Sequence, residues 1–198
     1  MNIVSLFPTP LYQNSISTKV EYEDIFQSLG FLENTGGNFF TQNQNVLELE
    51  CFVELKNEIL KNIDSYFKNI IDSSKIIEPY ITNSWVNVST TGNTHHKHSH
   101  NNSLISGVTY LYIEDTSDSI VFYNDRYSQI KIYPKNYNSY NSDSWRVPVK
   151  TNDILLFPSY LNHGVDECKT NKRISLAFNV FFKGDIGESY FSNSLNIG

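Results

Sequence analysis

The sequence predicts a mostly β fold of the α+β class: a jelly-roll barrel with helices from the N-terminal third packed on one sheet. After Pro79 the chain divides into short runs rich in β-branched and aromatic residues, separated by Gly, Asn, Asp and Ser. Before Pro79 it contains one long amphipathic pattern with the period of a helix. A chain of 198 residues is also long enough to bury a hydrophobic core without disulfides.

Three elements are predicted in the N-terminal third. Ile3–Tyr12 contains two prolines, which forbid a helix and favour an extended segment at a sheet edge. Lys19–Leu29 is a short helix that ends at Gly30. Leu47–Ile71 is the clearest helix, because its apolar residues recur at three- and four-residue steps and form one stripe. That stripe consists of Phe52, Leu55, Ile59, Ile63, Phe67 and Ile70.

Eight extended segments are predicted after Pro79. They are Tyr80–Ser89, His96–His100, Ile105–Ile113, Ser119–Tyr123, Trp145–Val149, Asp153–Phe157, Asn162–Asp166 and Arg173–Phe182. Eight short strands at regular spacing are typical of a barrel of two sheets. The polar segment Asn124–Ser144 between them is long for a loop, and loops of this length are usually functional. Its Arg126, Tyr127, Tyr133, Tyr137 and Tyr140 predict a lid at the barrel mouth, with a tyrosine-rich packing surface as the alternative.

We expect a single domain over residues 1–198. Residues 1–77 form the N-terminal strand and supporting helices, residues 78–184 the barrel, and residues 185–198 a C-terminal tail. No apolar run approaches the ~20 residues of a membrane span, and the N-terminus does not resemble a secretory signal. A cytoplasmic protein without a membrane partner is therefore expected. In that compartment Cys51 and Cys168 are predicted to be reduced thiols packed as small apolar groups.

The charge balance argues against a broad nucleic-acid-binding surface. The net charge is −6 and the pI is about 5.3, whereas nucleic-acid binding depends on neutralising phosphates with basic residues. A peptide or small-molecule substrate is the better expectation. The sequence leaves the oligomeric state open, with a homodimer as one alternative.

Four of the five histidines lie within six residues: His95, His96, His98 and His100. On a strand, alternate side chains share a face, so the last three are predicted to point one way and His95 the other. Two imidazoles two residues apart can bind one ion, and His163 is the histidine left to complete the site. The alternative is an exposed histidine-rich loop without a specific ion.

A buried arginine is predicted ten residues after His163. Arg173 opens an alternating strand on which Arg173, Ser175, Ala177 and Asn179 share one face. A guanidinium inside a barrel needs an anion, and it pairs bidentately with a carboxylate. The alternative is an arginine at the barrel rim that pairs with Asp153 or Asp166.

These segments together resemble one family. His98-x-His100 followed by Ser106-Gly107, and the run Leu155–Val165 with Arg173-Ile174-Ser175 behind it, resemble the iron(II)- and 2-oxoglutarate-dependent oxygenases. Their metal site sits in a double-stranded β-helix. The opening segment 6–12 is similar to a subgroup found in marine bacteria and their phages. The resemblance covers residues 6–12 and about 85–183.

The resemblance implies roles for seven residues. His98, His100 and His163 match the metal ligands. Arg173 and Ser175 match the Arg-x-Ser pair that binds the distal carboxylate of 2-oxoglutarate. Two further residues match cosubstrate-binding positions, Tyr110 of prolyl-hydroxylase-like members and Asn87 of alkylation-repair dioxygenases, where Gly92 also matches.

The sequence departs from the wider family at two positions. Ser89 stands where the alkylation-repair enzymes have tyrosine. His100 stands where these oxygenases commonly have a carboxylate ligand. The three-histidine face is the prediction, while Asp125 or Asp166 could supply a carboxylate instead, and His96 could replace His100 on strand alternation.

The function implied is that of an iron(II)- and 2-oxoglutarate-dependent dioxygenase. With dioxygen it would release succinate and CO2 while hydroxylating a C–H bond of a peptide, an amino-acid-like or another small substrate. A non-catalytic, cupin-like metal-binding protein is the first alternative, although it has no need of Arg173-x-Ser175. A nucleic-acid demethylase is the second, and the acidic charge balance argues against it.

Overall fold

The computed structural model describes residues 2–20, 26–114, 117–124 and 132–198. Its strands form two antiparallel sheets, as the predicted jelly roll requires. In chain order the strands β1 to β12 are Tyr12–Ser15, Phe31–Glu33, Phe39–Thr41, Ile77–Ser89, His95–His98, Ile105–Ile113, Ser119–Tyr123, Ser144–Pro148, Asp153–Pro158, His163–Val165, Arg173–Ile186 and Leu195–Ile197. None of the helices in these ranges has the length and apolarity to cross a membrane.

The larger sheet has the strand order β1-β9-β6-β11-β4-β3-β2, with β12 paired to the far end of β11. The smaller sheet has the order β5-β10-β7-β8. β11 is the central strand of the larger sheet and pairs along most of its length with β4 and β6. The residues 185–198, expected as a tail, therefore begin inside β11 and return as β12.

One long helical segment covers the larger sheet. Two 3₁₀ turns, Val46–Glu48 and Glu50–Phe52, lead into the helix α1, Val53–Tyr66, and a π-helical turn, Phe67–Ile71, ends it. The predicted helix over Leu47–Ile71 is thus confirmed, with 3₁₀ turns at its start and a π-helical turn at its end. The predicted helix Lys19–Leu29 falls partly on residues 21–25, which lie outside the described residues.

The hydrophobic core has two layers, separated by the larger sheet. Ile154 and Leu156 of β9 face α1, and Leu155 and Phe157 face the smaller sheet. All four are at most 1% exposed. A strand buried on both faces loses polar alternation, which explains the unbroken apolar run of β9. The inner layer leaves one end of the space between the sheets open, and the site lies there.

The two cysteines differ in their surroundings. Cys168 is buried and its thiol donates to Asp118 Oδ2 at 3.4 Å, whereas Cys51 is exposed. The prediction of a packed thiol is wrong for Cys51, because the 3₁₀ turn that buries Phe52 directs its neighbour to the surface.

Candidate metal and cosubstrate site

Three histidines from two parts of the chain meet between the sheets. His98 of β5 pairs in register with His163 of β10, and their ring centroids are 4.4 Å apart. His100 lies two residues beyond β5, where its backbone N–H donates to Ser159 O at 3.0 Å. One ligand atom from each of the three histidines lies within 4.8 Å of the other two. The structure therefore brings the three predicted ligands together.

The hydrogen bonds of these rings decide which nitrogen each offers. His98 Nδ1–H donates to His96 O at 2.8 Å, and His163 Nδ1–H donates to Leu161 O at 3.0 Å. A carbonyl oxygen only accepts, so in both rings the proton is on Nδ1 and the lone pair is on Nε2. Such outer hydrogen bonds orient the histidine ligands of metal sites.

His100 is held by side chains that the sequence analysis assigned no role. Its Nδ1–H donates to Asn179 Oδ1 at 2.6 Å, and the Ser106 hydroxyl lies 2.9 Å from the same nitrogen. Ser106 also contacts Ser159 Oγ at 2.9 Å, so a buried polar network fixes this ring. Asn179 shares the alternating face of Arg173, which is the signal that could have identified it.

The predicted alternation of the histidine strand is wrong at His95. His163 pairs with His98 but Val165 pairs with His95, so β5 contains one extra residue over this stretch. A bulge of this kind shifts the following side chains to the other face. His95 consequently lines the cleft beside His98, and His96 is exposed. His96 groups with His95 and His98 rather than with His163.

Asp166 and Asp125 were the two alternative carboxylate ligands. Asp166 forms an ion pair with Arg146 and accepts a hydrogen bond from Tyr123 Oη at 3.2 Å. It belongs to neither group of potential ligands among the described residues. Asp125 lies outside the described residues.

Arg173 lies at the inner end of the same cleft and is 4% exposed. Its Nη1 donates to Ser119 O at 3.1 Å and its Nη2 to Tyr110 Oη at 3.4 Å. Within the described ranges it forms no salt bridge, so the alternative pairing with Asp153 or Asp166 is not observed there. A buried guanidinium without a carboxylate is costly, and an anionic ligand would compensate it.

The other residues predicted to bind the cosubstrate lie beside Arg173. Ser175 of β11 is in register with Asn87 of β4 and with Tyr110 of β6, so the three side chains form one row across the sheet. All three line the cleft. Asn87 Oδ1 is buried and makes no hydrogen bond to the described parts of the chain. Burial raises the pKa of Tyr110, which keeps its hydroxyl protonated and able to donate.

Burial also keeps the imidazoles of the cleft neutral. Removal from water lowers the pKa of His163 to about 3 and lowers the pKa values of His98 and His100. Neighbouring imidazoles also lower the pKa values of His163 and His98, whereas the pKa of His100 is lowered by burial. Neutral imidazole is the form that binds metal.

The cleft is partly open to solvent, and the space within it, solvent at its mouth included, is about 480 Å³. Trp85 and Phe157 line it near the histidines; the ring centroid of Trp85 lies 5.6 Å from that of His100. For the predicted lid, Arg126 and Tyr127 lie outside the described residues. Tyr133, Tyr137 and Tyr140 are mostly exposed, and the lid stays a prediction.

Comparison with known proteins agrees with this geometry. The family model described as "Putative 2OG-Fe(II) oxygenase" matches residues 83–179. No curated protein matches the sequence. Among solved structures, HygX from Streptomyces hygroscopicus with nickel and 2-oxoglutarate bound is similar, with a TM-score of 0.61 and 12% identity over 87% of this chain and 82% of that one.

Two further structures share the fold. A Pseudomonas putida prolyl-4-hydroxylase has a TM-score of 0.58 and 11% identity over 86% of this chain and 92% of that one. The epimerase SnoN from nogalamycin biosynthesis has a TM-score of 0.58 and 10% identity over 81% and 70%. The double-stranded β-helix predicted for the barrel is thereby confirmed. The match over residues 83–179, close to half of the chain, and the shared fold indicate a 2OG-Fe(II) oxygenase, an enzyme that uses iron(II), 2-oxoglutarate and dioxygen.

Proposed function

We propose that His98, His100 and His163 hold iron(II), and that the chain is a 2-oxoglutarate-dependent dioxygenase acting on a small-molecule or peptide substrate. One observation carries the proposal: three imidazoles with converging ligand atoms share a cleft with a buried arginine that has no carboxylate partner among the described residues. The first feature suits a divalent metal ion and the second suits an organic anion.

The donor set fits iron(II). Three neutral imidazoles would hold the ion through nitrogen atoms and would leave coordination positions for the cosubstrate and dioxygen. Because none of the three carries charge, the dianion 2-oxoglutarate would balance the charge of the metal. Iron(II), when bound together with 2-oxoglutarate and dioxygen, would supply the oxidation chemistry that converts 2-oxoglutarate to succinate and CO2 and hydroxylates the substrate.

The chain's own residues bind and orient the cosubstrate. Arg173 is positioned for a bidentate pair with the distal carboxylate of 2-oxoglutarate, and Tyr110 and Ser175 beside it can donate hydrogen bonds to the same oxygens. The amide of Asn87, whose Oδ1 has no partner in the described ranges, can donate through Nδ2 from the adjacent strand. The apolar side chains of the inner core layer exclude water behind this group.

The cleft beside the metal ligands is suited to a small substrate. It is open to solvent, and Trp85 offers an aromatic face next to His100. HygX has been solved with hygromycin B bound and SnoN with nogalamycin RO, which are both small molecules. We propose a substrate of this kind, or an amino-acid-like or peptide substrate, that is hydroxylated at a C–H bond. The cytoplasmic location, the homodimer and the single domain over residues 1–198 stay predictions.

The test is an anaerobic titration of the purified protein with iron(II) and then with 2-oxoglutarate. A visible metal-to-ligand charge-transfer band, lost in His163→Ala, is expected, followed by succinate formation when air is admitted. Metal binding without this band or without any 2-oxoglutarate binding would overturn the proposal in favour of a non-catalytic metal-binding protein. Lys183→Ala, at the far end of β11, is the control that leaves the band unchanged.

A further inference from the structure

His95 is an imidazole of the cleft that the metal triad does not use. It lines the same cleft as His98 and Arg173. Its ring stacks on that of His98, with centroids 4.7 Å apart and an interplanar angle of 17°. Its ligand atom groups with those of His96 and His98, but not with those of His100 and His163. His95 therefore lies beside the proposed metal position without belonging to the triad.

The nitrogens of His95 are in a different state from those of the triad. Each triad histidine has its Nδ1 engaged by a carbonyl or amide oxygen. For His95, neither ring nitrogen makes a hydrogen bond to any described residue. An imidazole carries at least one N–H whether it is neutral or charged, so the His95 ring offers an N–H donor to the cleft that it lines.

The position of His95 suits a ligand that reaches from the metal to Arg173. Its ring lies against that of His98, and His95 and Arg173 line the same cleft. A dicarboxylate held between the proposed metal position and Arg173 would lie in the cleft whose wall includes His95. On the basis of the proposed function, we infer that His95 donates a hydrogen bond to the 2-oxoglutarate carboxylate nearer the metal and is a cosubstrate-binding residue.

The fold holds His95 in this position. The extra residue in β5 directs its side chain into the cleft, and Gly164 on the neighbouring strand makes room for the displaced backbone. A Cβ at Gly164 would lie 2.8 Å from His95 O and 3.2 Å from His96 O. The bulge and the glycine together bring a fourth imidazole to the cleft wall.

The test uses nickel(II) in place of iron(II) to measure metal binding and cosubstrate binding separately. Nickel(II) is not oxidised by air and does not support turnover. Calorimetry would give the nickel(II) affinity, and then the 2-oxoglutarate affinity of the nickel-loaded protein, for wild type, His95→Ala, His95→Asn and the neighbouring control His96→Ala. We expect His95→Ala to bind nickel(II) as wild type and 2-oxoglutarate about 10-fold more weakly, the effect of one hydrogen bond to a charged group. His95→Asn, which keeps an N–H donor, should fall between the two, and His96→Ala should match wild type.

Three other outcomes would overturn either the inference on His95 or the proposed function. Equal 2-oxoglutarate affinities for His95→Ala and His96→Ala would overturn the role of His95 and leave the proposed function intact. A 10-fold loss of nickel(II) affinity in a folded His95→Ala protein would make His95 a metal ligand and would also overturn the inference. Wild-type protein that binds nickel(II) but not 2-oxoglutarate would instead overturn the proposed function. Circular dichroism of each variant establishes that it is folded.

Discussion

Gly164 lies so close to His95 that a side chain has no room between them: a Cβ at Gly164 would be 2.8 Å from the carbonyl oxygen of His95. Gly164 follows the metal-ligand candidate His163, and His95 begins the bulged strand that carries His98. The packing of these two strands therefore sets the distance between the imidazoles.

We expect Gly164→Ala to weaken metal binding although it changes no ligand. The added methyl group meets backbone atoms, which cannot rotate away, so β5 must shift at a cost of about 1–3 kcal/mol in the free energy of unfolding. Nickel(II) calorimetry and thermal unfolding measure the two effects. Gly30→Ala is the control, since its Cβ would meet only the flexible end of Gln42. Wild-type affinity in Gly164→Ala would show that β5 adapts without moving its histidines.

The buried charge of Arg173 predicts opposite effects on stability and binding. Arg173→Met removes from the interior a guanidinium that forms no salt bridge with the described part of the chain, so we expect the free energy of unfolding of the ligand-free protein to rise by about 1 kcal/mol. The same variant should lose at least about 100-fold in 2-oxoglutarate affinity, because it loses a buried charge pair. Chemical denaturation and calorimetry check these values. Arg146→Met, at an exposed ion pair, should change neither, and a destabilised Arg173→Met protein would contradict the argument.

Asn179 and Asn87 are predicted to act on different ligands. Asn179 accepts the His100 Nδ1 proton, so Asn179→Ala should lower nickel(II) affinity by about 10–100-fold, as for other partners of ligand histidines. Asn87 contacts none of the three histidines through a hydrogen bond, so Asn87→Ala should keep the nickel(II) affinity and weaken 2-oxoglutarate. Equal losses of nickel(II) affinity in both variants would indicate general disruption of the cleft.

The histidines predict that the metal-free protein loses stability on acidification. The pKa of His163 falls from 6.5 to about 3 on folding, because burial disfavours the charged ring. Between pH 6.5 and about 3 the unfolded chain therefore binds this proton and the folded chain does not, so stability falls as the pH falls. The slope is at most about 1.4 kcal/mol per pH unit for this residue.

Urea denaturation at several pH values between 7 and 5 measures this slope. His163→Asn should reduce it, and His96→Ala, at an exposed histidine, should leave it unchanged. Addition of nickel(II) should increase the slope, since the metal requires the neutral rings. A slope in His163→Asn equal to that of wild type would show that other groups account for the acid lability.

Short-range patterns in the sequence predicted the main helix and the faces of the central strand. The apolar stripe from Phe52 to Phe67 recurs at helical spacing, so its burial against a sheet follows from the sequence. The alternation from Arg173 to Asn179 likewise predicted which side chains face the cleft. Both depend on backbone periods of a few residues, which the sequence displays directly.

The arrangement around His95 could not be predicted in this way. Strict alternation directed His95 away from His98, and only pairing with β10, more than sixty residues further along the chain, shows the extra residue. The small residue after His163 is a signal of close backbone approach, but the sequence does not say which strand approaches. The exposure of Cys51 could not be predicted either, because Cys51 lies in the 3₁₀ turn Glu50–Phe52, where helical periodicity predicted an α-helix.

The sequence by itself determined which residue types form the site and in which order the strands follow along the chain. It also determined which side chains of a regular strand share a face. The tertiary structure alone decided which nitrogen of each metal-site histidine is free, that Asn179 and Ser106 hold His100, and that Arg173 lies buried with no carboxylate of the described ranges beside it. These features depend on contacts between strands distant in sequence. Local periodicity carries no information on such contacts, because they are set by register, bulges and the packing of one sheet against the other.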